Sequence, residues 1–273
     1  MMSWRGVVWR LTTALATALF LALLLLPVLA LVLRVPAATL VARLADPLVL
    51  QALRLSLQTS LSAVALIVGL GTPVAWLLAT REFRGKRALE ALVDLPMVLP
   101  PTAAGVGLLL AFGRTGLAGR LLSAAGITIP FTTAAVVIAE TFIAAPFFVG
   151  AAAAGFREVE RRYLDAAMTL RAAPVTVFFR VMLPLALPSV LAGATMSWAR
   201  ALGEFGATIT FAGNLPGVTQ TMPLAVYVAL QTDLEAAIVL SVLLVLLSFT
   251  VLVLVRAFPV GRAMITGAGR QPR

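Results

Sequence analysis

Asp94, Glu140, Arg200 and Glu204 are charged residues well inside stretches that are otherwise largely apolar. Arg200 and Glu204 stand four apart in ARALGEFGATITFAGN, the spacing that brings two side chains together on one helical face. An arginine at the centre of a membrane helix costs about 2.5–3.5 kcal/mol on insertion scales, so it must face protein or water and find a partner. Pairing with Glu204 would satisfy it; contact with an anion in transit is the other use of the same charge. Glu140, a few residues ahead of Pro146, is a second carboxylate suited to a hydrogen bond with a neighbouring helix. Other chemistry is excluded by composition. The 273 residues include no His and no Cys, which removes the commonest general base and metal ligand, any disulfide framework and any thiolate metal site. No catalytic or metal-ligating residues are expected, and no cofactor on the chain itself.

The elements that must carry these charges are membrane helices. With 61% hydrophobic and 12% charged residues and a mean hydropathy of +1.05, the chain has more apolar surface than a soluble core of its size could hide. The fold class is all-α, a polytopic membrane protein forming one domain over 1–273. Spanning a bilayer takes about 20 apolar helical residues. Six runs qualify, near 11–33, 54–80, 88–113, 132–154, 187–212 and 236–255. The first is too long for a secretory signal and has no clear small-residue cleavage site after it, so it reads as a retained helix. Fifteen of the 21 Lys and Arg fall in the termini, the 81–87 loop and the 156–186 loop. Only five, Arg34, Arg43, Arg54, Arg114 and Arg120, fall on the opposite side. That bias predicts a multi-pass protein of the cytoplasmic membrane with both termini in the cytoplasm, in contact with membrane lipids. It also accounts for most of the +10 net charge without nucleic acid.

Two of these runs are unusual. DLPMVLPPTAAGVG carries Asp94, Pro96, Pro100, Pro101, Gly105 and Gly107 and cannot be one regular helix, because each proline removes a donor and clashes with the preceding turn. Broken helices at membrane depth are tolerated beside protein or a cavity, so this run reads either as a gate or as a structural kink. In the fifth run, Gly203, Gly206, Gly213 and Ala207 remove bulk, for close packing or for a path.

The longest polar interruption is the 156–186 loop. Phe156, Val159, Tyr163, Ala166 or Ala167, and Leu170 form a narrow apolar stripe beside Arg157, Arg161, Arg162 and Asp165, which predicts a short surface helix. After Ala172 and Ala173, Pro174 opens a second helix through Val177, Phe178, Val181 and Met182, which Pro184 and Pro188 are expected to close. Such a helix-turn-helix either lies on lipid headgroups or fits a groove on a soluble partner. The chain has no phosphate-binding loop of its own; Gly85-Lys86 lacks both the earlier glycine and the following Ser or Thr. The tail from Gly261 reads as a short disordered end.

The loop resembles the cytoplasmic loop of ABC importer permeases. Asp165, Ala166 and Ala167 stand at that family's Glu-Ala-Ala, and Leu183 and Pro184 at its Leu-Pro. The chain departs in having Asp for Glu and Ala172 where glycine is usual, so the turn must form without a glycine. The ALGEFGATITFAGN and TMPLAVYVALQ strings, with LRLSLQTS and LPMVLPPTAAGVGLLLAFG, look like the permeases of molybdate importers in particular; sulfate permeases share the Gly-Glu-aromatic-Gly core. The resemblance implies a type I importer permease fold and a homodimer around a central pathway. It also implies two cytoplasmic ATPase subunits that use ATP and Mg, and an extracytoplasmic binding protein delivering molybdate or tungstate. The ATPase-coupling residues would be Arg161, Asp165, Ala166, Ala167, Ala172, Leu183 and Pro184. The pathway or gate would draw on Asp94, Pro96, Pro100, Pro101, Glu140, Arg200, Gly203, Glu204 and Gly206. Two alternatives remain: a sulfate or thiosulfate importer, and an ion-coupled secondary transporter with Glu140, Glu204 and Arg200 as its relay.

Overall fold

The structure, a computed structural model, describes residues 4–44 and 46–257; the expected tail from Gly261 lies outside them. Those residues fold into helices and connecting turns. In chain order they are α1 (Trp4–Leu33), α2 (Ala37–Leu44), α3 (Pro47–Thr80), α4 (Lys86–Val98), α5 (Pro101–Phe112), α6 (Gly119–Ala124) and α7 (Thr133–Glu158). The second half adds α8 (Arg161–Thr169), α9 (Pro174–Val177), α10 (Leu183–Leu202), α11 (Gly206–Phe211), α12 (Met222–Thr232) and α13 (Leu234–Ala257). Five helical stretches are long and apolar enough to cross a bilayer, and α4 with α5, bent by 117°, makes a sixth. Helices cover each of the six expected runs, with different ends: the second begins at Pro47, and the fifth starts at Pro174 and stops at Leu202.

The bundle is organised around α7, which packs chiefly against α3 and α10. Lipid offers helices no hydrophobic reason to associate, so small residues that let backbones approach take over that role. Ala135, Ala139, Ala144 and Ala152 of α7 are fully buried. A Cβ on Gly193 would sit 3.1 Å from the Phe148 carbonyl oxygen, and one on Gly155 would sit 2.4 Å from Ser189 Cβ, so α7 and α10 meet nearly backbone to backbone. By contrast α1 buries nothing within its own span.

The break in the third span follows from local sterics. A residue before proline is pushed out of the α region, and Leu99 and Pro100 both precede one. Their ψ angles are 133° and 132°, which ends α4, while Pro101 opens α5 at a position where its missing N–H is no loss.

Pro184 and Pro188 do not close the helix that Pro174 opens. The chain runs helically from Pro174 to Leu202, through a π turn at Phe178–Met182 in which the Leu183 N–H donates to the Phe178 carbonyl. A widened turn gives the Pro184 ring room and reassigns the neighbouring hydrogen bonds, so the proline bulges the helix where an α turn would have broken it.

The surface helix of the 156–186 loop also differs from its expected form. Phe156 belongs to α7 and is buried, and the helix breaks at Val159 and Glu160 before α8 begins. On α8 the half-buried residues are Leu164 and Ala167, while Tyr163, Met168 and Leu170 point outward at 44, 56 and 84% exposure. The turn after α8 does form without glycine, but its left-handed residue is Arg171 (φ 57°) and not Ala172. The Arg171 N–H donates to the Met168 carbonyl and the Ala172 N–H to that of Ala167, the bond pair that needs a left-handed residue just past the helix end. A left-handed residue with a Cβ costs about 1–2 kcal/mol. Arg171→Gly is therefore expected to raise stability by about 1 kcal/mol, whereas Ala172→Gly brings no gain, as thermal unfolding in detergent would show.

Candidate functional site

The two broken spans meet. A Cβ on Gly206 would lie 2.8 Å from Pro101 Cβ and 3.3 Å from the Thr102 nitrogen, and a Cβ on Gly105 would lie 2.8 Å from the Ala207 carbonyl oxygen. The start of α11 thus rests against the start of α5, and Pro100, Pro101, Gly203, Glu204 and Gly206 are gathered at one junction. Gly203 ends α10 as its C-cap and is exposed.

Arg200 and Glu204 join the two sides of the second break. They do not share one helical face as the spacing suggested: Arg200 is in the last turn of α10, and Glu204 lies in the non-helical 203–205 link. The guanidinium Nη2 is 2.7 Å from Glu204 Oε2, with side-chain exposures of 30 and 1%. Glu204 Oε1 accepts the Ala207 N–H at 2.9 Å, supplying one of the acceptors that the first turn of α11 lacks. A cation at the C-terminal end of α10 is favoured by the carbonyls there. The pair is a suture across a helix break, anchored on the α11 side by the Ala207 N–H.

Glu140, on α7, is 2% exposed. Its Oε1 accepts a hydrogen bond from Thr59 Oγ1 at 2.9 Å, as expected for a carboxylate facing a neighbouring helix, while its Oε2 has no hydrogen-bond partner among the described residues. Thr59 belongs to a hydroxyl seam on α3. Ser56 Oγ accepts the Met222 N–H at 2.7 Å at the start of α12, and Ser60 Oγ accepts Trp198 Nε1–H of α10 at 3.0 Å. Composition and motif reading missed this seam. Its signal is present in LRLSLQTS, where Ser56, Thr59 and Ser60 recur at steps of three and four on one buried face.

The remaining candidates stand apart from this junction. Asp94 is exposed on α4 and Pro96 is buried there. Arg161, Asp165 and Ala166 are exposed on α8, Ala172 follows its turn, and Leu183 and Pro184 sit at the start of α10, with Leu183 packed against the core. The loop residues are therefore brought together at one end of the bundle, well separated in the fold from the Arg200, Glu204 and Glu140 group.

A multi-helix membrane unit with two helix breaks pressed together and a short helix standing off one end has the architecture of a transporter's membrane subunit. The chain belongs to the binding-protein-dependent transport system inner membrane component family, which matches residues 71–259. It is 45% identical over 254 residues, 93% of this chain and 95% of the other, to the molybdenum transport system permease protein ModB of Mycobacterium tuberculosis. It is 43% identical over 183 residues, 67% and 80% of the two chains, to that of Escherichia coli K12. The probable transport system permease protein NifC of Clostridium pasteurianum is 34% identical over 241 residues, 88% and 84% of the two. In fold it is similar to a chain of a bacterial alginate ABC transporter solved with a pentasaccharide-bound periplasmic protein, with a TM-score of 0.71 at 13% identity over 94% and 96% of the chains.

Proposed function

We propose that this chain is the membrane permease of an ABC importer for molybdate or tungstate, acting as a homodimer with two cytoplasmic ATPase subunits and an extracytoplasmic oxyanion-binding protein. The observation that carries it is the 45% identity, along nearly the whole of both chains, to a molybdenum transport permease. The positions of the basic residues support cytoplasmic termini and a cytoplasmic α8. Energy enters from the partner, since the chain has no phosphate-binding loop. The outward Tyr163, Met168 and Leu170 of α8 give that partner a small apolar surface with a charged rim. ATP and Mg belong to the ATPase, whose closure on α8 shifts the permease between inward-open and outward-open states. A homodimer would supply the second wall of the pathway and cover helices such as α1, whose span has no buried residue in its own chain.

The test is uptake of radiolabelled molybdate by the chain reconstituted with its ATPase and binding protein. Uptake is expected to require ATP and to be competed by tungstate far better than by sulfate. Asp165→Lys reverses a charge on the exposed face of α8 and is expected to lower uptake at least about tenfold, the factor that 1.4 kcal/mol of lost docking represents. Uptake that persists without any ATPase would assign the chain to secondary transport; equal competition by sulfate would assign it to sulfate.

A further inference from the structure

α8 has two mechanical neighbours. On its C-terminal side it packs against α9 and the π turn, which run straight into α10 and so to the 203–205 break. On its N-terminal side only Val159 and Glu160 separate it from α7, whose last turn carries Arg157. Arg157 Nη2 donates to Glu90 Oε1 of α4 at 2.9 Å and to the Leu78 carbonyl of α3 at 3.3 Å. That carbonyl is in the final turn of α3, where intrahelical donors run out. One guanidinium thus ties the ends of α3 and α7 to α4 four residues before the coupling helix begins.

α4 depends on this end of the bundle, because α7 is its principal packing partner within the chain. Of its other charges on this side, Lys86 is already engaged. Lys86 lies 2.5 Å from Glu82 and, by hydrogen bond and charge, holds that carboxyl below the usual carboxylate range. These residues, with Arg87, Glu90 and Arg157, line an open polar cavity of about 470 Å³. Glu90 is thus the α4 charge bonded directly to α7, ten and eleven residues before the two prolines that bend the third span.

We propose that the Arg157–Glu90 pair is a positioning strut that carries the motion of α8 through the end of α7 into α4, and so to the Leu99 and Pro100 bend. The inference rests on the proposed function. Motion from α8 then reaches both halves of the junction at Pro101 and Gly206, one half through α9 and α10 and the other through this ion pair. Side-chain exposures of 48 and 35% make the pair a modest contributor, so the expected effect is about fivefold, at the lower end of coupling between sites.

The measurement is molybdate uptake per ATP hydrolysed, in proteoliposomes holding the chain, its ATPase and its binding protein. Glu90→Gln is expected to keep ATPase assembly and hydrolysis and to lower the ratio about fivefold. The reversal Glu90→Arg with Arg157→Glu is expected to recover most of that loss. Arg157→Lys keeps the charge and is the second variant if the reversal fails to assemble; it is expected to stay close to the wild-type ratio. A simple packing role would lower hydrolysis and uptake together and would gain nothing from reversal. An unchanged ratio in Glu90→Gln overturns the strut alone, as does an assembled reversal or lysine variant that couples no better than Glu90→Gln. A wild-type complex that takes up no molybdate overturns the proposed function, and the strut with it.

Discussion

Arg200→Ala is expected to destabilise the chain by about 3–5 kcal/mol, because removing one partner of a buried ion pair leaves an uncompensated charge behind. Here the residue left behind is the more deeply buried one: Glu204 is 1% exposed against 30% for Arg200. Its carboxylate would keep one amide donor, from Ala207, and no cation. Glu204→Gln should be the milder change. An amide oxygen still accepts the Ala207 N–H, and the stranded arginine keeps the carbonyl end of α10 and a route to water. The loss is expected to be about 1.5–3 kcal/mol, the scale of one net hydrogen bond to a charged group. The two changes should be far from additive, with Arg200→Ala/Glu204→Gln more stable than Arg200→Ala alone. Equilibrium unfolding of the three variants in detergent forms a double-mutant cycle; a coupling energy near zero would disprove the suture.

Gly105→Ala should be nearly as damaging although it adds a single methyl group. The new Cβ would lie 2.7 Å from Thr210 Cβ, 2.8 Å from the Ala207 carbonyl oxygen and 3.0 Å from Ala207 Cα. Two of those atoms are backbone and cannot swing aside, so α5 must move away from α11. Overpacking of this kind costs about 1–3 kcal/mol. The functional loss is expected to be larger than that figure suggests, since the displaced contact is the one between the two broken spans. Gly107→Ala, two residues further along α5, is the control. A Cβ there meets nothing within 4 Å, and replacing a helical glycine by alanine gains up to about 1 kcal/mol. Thermal unfolding should therefore move in opposite directions for the two variants. If Gly105→Ala proved as stable as the parent and transported as well, the junction would be looser than the geometry makes it.

The proline bend shows how far local rules reach. Two consecutive residues that each precede proline leave α4 no way to continue, so the break at Leu99 and Pro100 was readable from DLPMVLPP alone. The same reasoning failed at Pro184 and Pro188. There a π turn accommodates the ring, and the bonds that hold the helix on course come from its packing against α7. The loop turn was misplaced by one residue for a related reason: Arg171 occupies the left-handed position against its own preference, so residue type did not mark the site. The fifth span was drawn too long because its apolar run continues past Leu202. Nothing in hydropathy distinguishes a helix from a break that is capped by a carboxylate and wedged against another proline.

Composition, hydropathy and the placement of Arg and Lys pointed by themselves to an all-α membrane protein with several spans and a polar loop between the fourth and fifth of them. Those features depend on how each segment partitions between water and lipid, and that is a local property of the chain. Only the tertiary structure decided that Glu140 meets Thr59, that Pro101 meets Gly206, and that Arg157 reaches across to α4. Such contacts join residues tens of positions apart, and inside a bilayer they are chosen by backbone approach and polar pairing. The sequence can mark one side of such a contact, as the hydroxyls of LRLSLQTS do, but not the partner it meets, because lipid serves an apolar face as well as a neighbouring helix does.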